Sequence, residues 1–202
     1  MPPVIATLLV QAQALAAIEV IAVVLAVGYV VLAIRQNIWC WLCAGISTVI
    51  FAWLFFDVRL YMESLLNVFY FLMAIYGWYS WLAGHRGNRD LPVVVWPRKT
   101  HAVAIAAIVL LSMLNGYLLD TRTDAAFPYI DSLTSWGAVW ATFLVARKVL
   151  ENWWYWFVID ATMLYVFWAK GLELTAVLYA AYLIMIPIGL ISWRRSYREA
   201  NA

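Results

Sequence analysis

Between Ala14 and Ile34 the chain carries a single charged side chain, Glu19, among otherwise apolar residues. An apolar run of about 20 residues is what a helix needs to cross the roughly 30 Å hydrocarbon core of a bilayer. Inside that core every backbone polar group must be satisfied internally, which leaves a helix as the only open-ended solution. Six further runs of this kind follow, over 38–56, 62–83, 101–119, 133–146, 151–169 and 174–193. The fifth is short, and Phe127–Leu133 extends it. Val4–Val10 is apolar but too short to span, and is expected at the interface. With 67% hydrophobic and 12% charged residues, against about 45–50% and 25% in soluble domains, the expected fold class is an all-α integral membrane protein with seven transmembrane helices. No basic n-region precedes Val4, which argues against a cleaved signal peptide.

Lys and Arg set the orientation, because cytoplasmic loops carry the excess. Ten of the 13 fall on one set of connections: Arg35, Arg86, Arg89, Arg98, Lys99, Arg147, Lys148, Arg194, Arg195 and Arg198. The other set holds three, Arg59, Arg122 and Lys170. The N-terminus is therefore expected outside and the C-terminus in the cytoplasm. A net charge of +2 is too small to point to nucleic acid.

An internal repeat divides the chain. Tyr70, Gly77 and Trp81 recur as Tyr182, Gly189 and Trp193 at a constant offset of 112. Spans 1–3 and 5–7 read as two parallel three-helix repeats, with span 4 the linker that keeps both in one orientation. The expected organisation is a first repeat with its cytoplasmic loop over 1–100, a linker helix over 101–119 and a second repeat with its tail over 120–202. Parallel repeats of this kind occur in transporters, with the substrate held near mid-membrane at the repeat interface.

Polar residues inside apolar spans are expensive and therefore informative. Trp153, Trp156 and Asp160 stand at i, i+3 and i+7, one face of a helix. At about 1.5 Å per residue they cover roughly 10 Å, the length of a small heterocycle. Two rings beside a buried carboxylate suit a flat cation. Asn67 with Tyr70, and Tyr179 with Tyr182, are i, i+3 pairs that the 112 offset superposes. An amide and phenols can bond a ligand's hydroxyls while the rings cover its faces. Glu19 and Asp160 can each also be read as making a helix–helix hydrogen bond or as a protonated carboxyl. Glu63, Asp131 and Glu151 open helices, where the dipole favours an acid. Trp39, Trp41, Trp81, Trp193 and Tyr197 sit at span ends and are expected as interfacial anchors.

Catalytic patterns are missing from the sequence: His85 and His101 lie in or beside the basic loop, and no P-loop, dinucleotide fingerprint or H-E-x-x-H occurs. Cys40 and Cys43 form a C-x-x-C inside an apolar helix pattern, which reads as packing. Neither a cofactor nor a metal is expected.

Two regions carry a family resemblance. One is Leu60-Tyr61, Leu65-Leu66-Asn67-Val68-Phe69-Tyr70 and Ile75-Tyr76-Gly77-Trp78-Tyr79-Ser80-Trp81. The other is Phe127-Pro128-Tyr129-Ile130-Asp131-Ser132, Arg147-Lys148-Val149-Leu150-Glu151-Asn152-Trp153, Trp156 and Asp160. With Ile18-Glu19, these motifs resemble the PnuC family of bacterial vitamin transporters across all seven spans. The resemblance implies an inner-membrane facilitator for nicotinamide riboside or a relative such as thiamine, with a 3+1+3 fold like that of the SWEET transporters. It also implies a homotrimer in membrane lipid, downhill transport, and trapping of the vitamin by a cytosolic kinase. On this chain the family's span 6 motif matches Trp153, Trp156 and Asp160, and its span 3 motif matches Asn67 with Tyr70. Nicotinamide riboside members of the family carry Asn where this chain has Asp160, which keeps thiamine as the alternative. Glu19 and Asp131 are expected at helix contacts or a gate. A proton-coupled symporter and a non-transporting membrane receptor are the other classes.

Overall fold

The computed structural model describes residues 3–57, 61–84, 91–123, 127–169 and 173–202, without the side chains of 3–16, 61–63 and 173–175. Among them run seven helices: α1 (Pro3–Ile34), α2 (Trp39–Asp57), α3 (Tyr61–Ala83), α4 (Arg98–Arg122), α5 (Pro128–Ala146), α6 (Asn152–Ala169) and α7 (Glu173–Ala200). The chain divides into two compact units, Met1–Leu82 and Ala83–Ala202. Five helices are long and apolar enough to cross a membrane: α1, α2, α3, α4 and α7. The other two, α5 and α6, have 19 and 18 residues, which is about 27–29 Å of helix. Hydroxyls lower the hydropathy of α5, and the tryptophans, tyrosines and Asp160 lower that of α6.

Val4–Val10 is not a separate segment. It forms the first turns of α1, because Pro3 suits a helix start and no Gly or Pro interrupts the run before Gly28. Pro128 likewise opens α5 at its first position, with Asp131 in the first turn, so the fifth helix takes in Phe127–Leu133 from Pro128 onward. The side chain of Glu63, the basic residues Arg59, Arg86, Arg89 and Lys170, and His85 lie outside the described residues.

In the first unit α2 bonds to both of its neighbours in the chain. Ser47 Oγ donates to the Ala22 carbonyl of α1 at 2.9 Å, and Ser64 Oγ of α3 donates to the Ala52 carbonyl of α2 at 2.7 Å. Such bonds hold helices together where lipid removes the hydrophobic drive. In the second unit α4 packs along α5, where Asn115 Nδ2 donates to Ser132 Oγ at 3.1 Å. At Gly116 a Cβ would lie 2.5 Å from Tyr129 Cδ1 and 3.0 Å from its Cα, so only glycine admits this crossing. Helix α5 packs also on α6, and α6 on α7. The connection 91–97 lies on the α5–α6 turn, with Val94 N–H donating to the Lys148 carbonyl at 3.0 Å and Leu150 N–H to the Val94 carbonyl at 2.8 Å.

The 112 offset reappears as geometry. Helix α1 ends with Gln36 at φ 54° and α5 with Lys148 at φ 50°. Each left-handed residue closes the same pair of bonds: Gln36 N–H to Ala33 O and Asn37 N–H to Leu32 O, both 2.9 Å, against Lys148 N–H to Val145 O at 3.0 Å and Val149 N–H to Leu144 O at 2.9 Å. This is the Schellman closure, held without glycine at a cost of about 1 kcal/mol or more at each turn. Beyond each turn a tryptophan packs on a glycine. Trp41 occupies the space beside Gly77 and meets Trp81 edge-on, with centroids 5.5 Å apart at 85°. Trp153 does the same at Gly189 and meets Trp193 at 5.6 Å and 90°.

Trp41, Trp81 and Trp193 are therefore not interfacial anchors. They are 2%, 3% and 0% exposed, because Trp41 fills the gap beside Gly77, while Trp81 packs edge-on against Trp41 and Trp193 edge-on against Trp153. Trp39, more than half exposed, remains on the surface. Cys40 is buried and Cys43 half-buried, both as free thiols, and the described residues contain no cluster able to hold a metal.

A methyl group at either glycine collides with an indole. Gly77→Ala and Gly189→Ala are each expected to destabilise the protein by about 1–3 kcal/mol, the usual range for overpacking. Thermal unfolding in detergent measures this, and the two losses should be similar because the contacts are the same.

Candidate functional site

Helix α6 turns one face toward α7, and its three singled-out residues occupy different levels of that face. At the level of the α5–α6 turn, Trp153 is 4% exposed and wedged against Gly189 and Trp193. One turn further, Trp156 is half-buried. About two turns in, Asp160 is 6% exposed. The antiparallel run of α7 brings Tyr182 and Tyr179 within electrostatic reach of the Asp160 carboxylate. The two phenol rings meet edge-on at 5.9 Å and 80°, and Phe167 covers Tyr179 at 5.3 Å.

Asp160 has no hydrogen-bond or ion-pair partner among the described residues. Its neighbour two positions on, Thr162, turns its hydroxyl back to the Val158 carbonyl at 2.8 Å. An unpaired carboxylate in so buried a place is costly, by several kcal/mol for an ion left without compensation. Water, protonation or a cationic guest can meet that cost, and a cationic guest gains the faces of the adjoining phenols as well.

Asn67 and Tyr70 belong to the first unit, where both are half-buried on α3. Tyr29 of α1 stands close enough to Tyr70 for the two phenols to interact electrostatically, and its ring lies 5.9 Å from that of Trp41. Sequence reasoning passed over Tyr29, which sits in a plain apolar run and whose counterpart at the 112 offset is Ala141. Glu19 is exposed on α1, and Asp131 is half-buried in the first turn of α5. Glu151 is engaged more closely than a first-turn acid: its Oε2 accepts the Trp96 N–H at 3.4 Å and lies 3.8 Å from His101 Nε2.

Asp160, Tyr179 and Tyr182 thus come together within the second unit, while Trp153 is committed to the contact with α7. The geometry suits binding of a small aromatic molecule. It offers no nucleophile and base in hydrogen-bond contact around Asp160 among the described residues.

The family model described as "Nicotinamide mononucleotide transporter" matches residues 16–195. The nicotinamide riboside transporter PnuC of Escherichia coli (strain K12) is 26% identical over 183 residues, covering 78% of this chain and 76% of that protein. The nicotinamide riboside transporter PnuC of Shigella flexneri matches with the same identity and coverage. The riboflavin/roseoflavin transporter RibM of Streptomyces davaonensis is 24% identical over 186 residues, covering 89% and 83%. The crystal structure of the vitamin B3 transporter PnuC superposes with a TM-score of 0.72 at 20% identity, covering 90% of this chain and 82% of that one. This likeness shows the fold, a multi-pass helical membrane protein. Since the family model takes in all seven helices, the chain belongs to the nicotinamide mononucleotide transporter family.

Proposed function

We propose that this protein is an inner-membrane facilitator for a cationic aromatic vitamin, with nicotinamide riboside as its first substrate. The observation that carries this reading is Asp160, a buried carboxylate without a counter-charge among the described residues, beside two tyrosines. A pyridinium ring with a permanent positive charge supplies what that carboxylate lacks. Trp156, Tyr179 and Tyr182 cover the ring, and Asp160 neutralises its charge. Asn67 and Tyr70 bond the polar groups of the guest. Trp153 sets the spacing of α6 and α7 and gives the wall its end.

The names of the relatives support a vitamin substrate: two are nicotinamide riboside transporters and one carries riboflavin and roseoflavin. The carboxylate favours a cation over a neutral flavin. It suits thiamine as well, which is the alternative within the class, because Asp160 stands where nicotinamide riboside members carry Asn.

In this reading the chain has a 3+1+3 arrangement, with three-helix repeats over 1–100 and 120–202 and a linker over 101–119. The recurrence of the Schellman turn and the Trp-on-Gly contact at one offset supports it. Alternating access comes from one repeat rocking against the other. Pro187 interrupts the hydrogen-bond ladder of α7 between Tyr182 and Gly189, which gives the tyrosine-bearing half freedom to move while Trp153 holds the other half. The N-terminus is outside and the C-terminus cytoplasmic, following the Lys and Arg count. Glu19 and Asp131 serve helix contacts or a gate. The protein works as a homotrimer, and a cytosolic kinase traps the vitamin.

Tryptophan-fluorescence quenching of the purified protein by nicotinamide riboside and thiamine, titrated in parallel, tests the substrate. Asp160→Ala should weaken binding of the preferred vitamin at least tenfold, a loss of about 1.4 kcal/mol or more. Unchanged affinity in a folded variant contradicts the assignment. The two site tryptophans should behave differently. Trp153→Ala lowers thermal stability by about 3–5 kcal/mol, as for a large core ring, whereas Trp156→Ala leaves unfolding nearly unchanged and weakens binding. A facilitator also takes up vitamin into proteoliposomes at a rate indifferent to an imposed pH gradient; acceleration by an inward proton gradient indicates symport instead.

A further inference from the structure

Asn152, Trp156 and Asp160 stand at i, i+4 and i+8 on α6, a spacing that stacks their Cβ atoms along one stripe of the helix. At about 1.5 Å per residue the two ends of the stripe are roughly 12 Å apart. Asp160 marks one end. At the other, Asn152 is 0% exposed and its Oδ1 is buried with no hydrogen-bond partner among the described residues. The amide is oriented by its Nδ2, which donates to the Val149 carbonyl at 2.7 Å; turned over, it would set two carbonyl oxygens against each other. The first unit shows that the fold does not ask for this amide. At the 112 offset the stripe becomes Cys40, Ala44 and Thr48 on α2. Cys40 is also 0% exposed, so a thiol fills the same position in the same turn. The Val149 carbonyl already takes the Asn152 backbone N–H at 3.2 Å, as the Asn37 carbonyl takes the Cys40 N–H at 3.0 Å. The unpartnered indole nitrogens of Trp41 and Trp153 recur in both units and belong to the shared packing. The unmet acceptor of Asn152 does not recur, and neither do the ring of Trp156 and the carboxylate of Asp160. A buried carbonyl oxygen left without a donor is costly, and native proteins keep few of them.

We propose that Asn152 Oδ1 accepts a hydroxyl of the substrate's sugar group, so that one stripe of α6 holds three parts of one molecule. Asp160 meets the positive charge, Trp156 covers the ring, and Asn152 takes the polar tail. This inference rests on the transport reading of the Asp160 site and extends it, from a cationic ring to a cationic ring that bears a hydroxylated substituent. A bare six-membered ring cannot touch both ends of a stripe roughly 12 Å long, whereas a ring carrying a pentose can. An amide oxygen suits the task because it accepts an O–H without adding a second charge beside Asp160. Both acceptors are covered in this conformation, so the guest reaches them when the helices part, as alternating access requires.

Two ligands separate the tail contact from the ring contact: nicotinamide riboside, and 1-methylnicotinamide, which keeps the cationic ring and has a methyl group in place of the sugar. Fluorescence quenching by each is titrated in wild type, Asn152→Cys and Asp160→Ala. Cysteine is the replacement because the first unit already seats it in this turn. Wild type should bind nicotinamide riboside the more tightly of the two. Asn152→Cys should weaken nicotinamide riboside roughly threefold to tenfold, the worth of one neutral hydrogen bond, and leave 1-methylnicotinamide as it was. Asp160→Ala should weaken both. Unchanged nicotinamide riboside affinity in Asn152→Cys, an equal loss for both ligands, or a wild type without preference overturns the inference. The Tm of ligand-free Asn152→Cys in detergent should stay within about 2 °C of wild type, below the usual shift for one good interaction in a chain of this size. A larger fall, or failure to fold, makes the amide a part of the turn and overturns the inference as well. The reading of the Asp160 site fails separately. Wild type quenched by neither ligand, or Asp160→Ala that binds both unchanged, contradicts that reading and the inference with it. A loss in Asp160→Ala without one in Asn152→Cys keeps the site and removes the hydroxyl contact alone.

Discussion

The contact of an indole with a bare glycine sets the distance between α6 and α7. Trp153 stands where any side chain on Gly189 would be, so the helices approach at that level as closely as a flat ring permits. Trp193 closes the ring edge-on. In an antiparallel pair, fixing one level fixes the others, and two turns away it leaves Asp160 facing Tyr179 and Tyr182. The same contact between Trp41 and Gly77 organises the first unit. There Thr48 stands at the position equivalent to Asp160 and turns its hydroxyl back to the carbonyls of Ala44 and Gly45. A shared scaffold thus carries a carboxylate in one unit and a self-satisfied hydroxyl in the other. The duplicated packing and the unduplicated charge separate what holds the helices from what is free to bind.

Much of this was legible from the residues. Apolar runs marked all seven helices because the bilayer demands about 20 residues per crossing and leaves the backbone no other partner. The repeat was visible at Gly77 and Gly189 because glycine at a close approach tolerates no replacement. The role of Trp41 was not legible. A tryptophan near a span end looks like an anchor, and nothing local says that its ring faces a glycine 36 positions away. The left-handed residues Gln36 and Lys148 were equally hidden, since neither is the glycine or asparagine that usually marks such a turn. Glu151 looked like a first-turn acid, and its partner His101 lies 50 positions back, beyond any helical spacing rule.

Asp160 was the residue singled out most directly, and the reason is thermodynamic. A carboxylate in an apolar span must be met by water, a proton or a cation, so its presence at that depth asks for an account. Its surroundings supply aromatic faces and no cation among the described residues. In the proposed reading the missing charge is that of a passing substrate, and the neighbouring phenols suit a flat one. Stability and transport pull in opposite directions here: a permanent counter-ion would make the unit more stable and the site useless.

Counterflow in proteoliposomes tests the central claim most directly. Vesicles loaded with unlabelled nicotinamide riboside and containing the wild-type protein should accumulate labelled vitamin transiently from outside, and those containing Asp160→Ala should not. Binding by the wild-type protein without any exchange of label would contradict the account, because it would make the buried carboxylate part of a receptor and not of a path across the membrane.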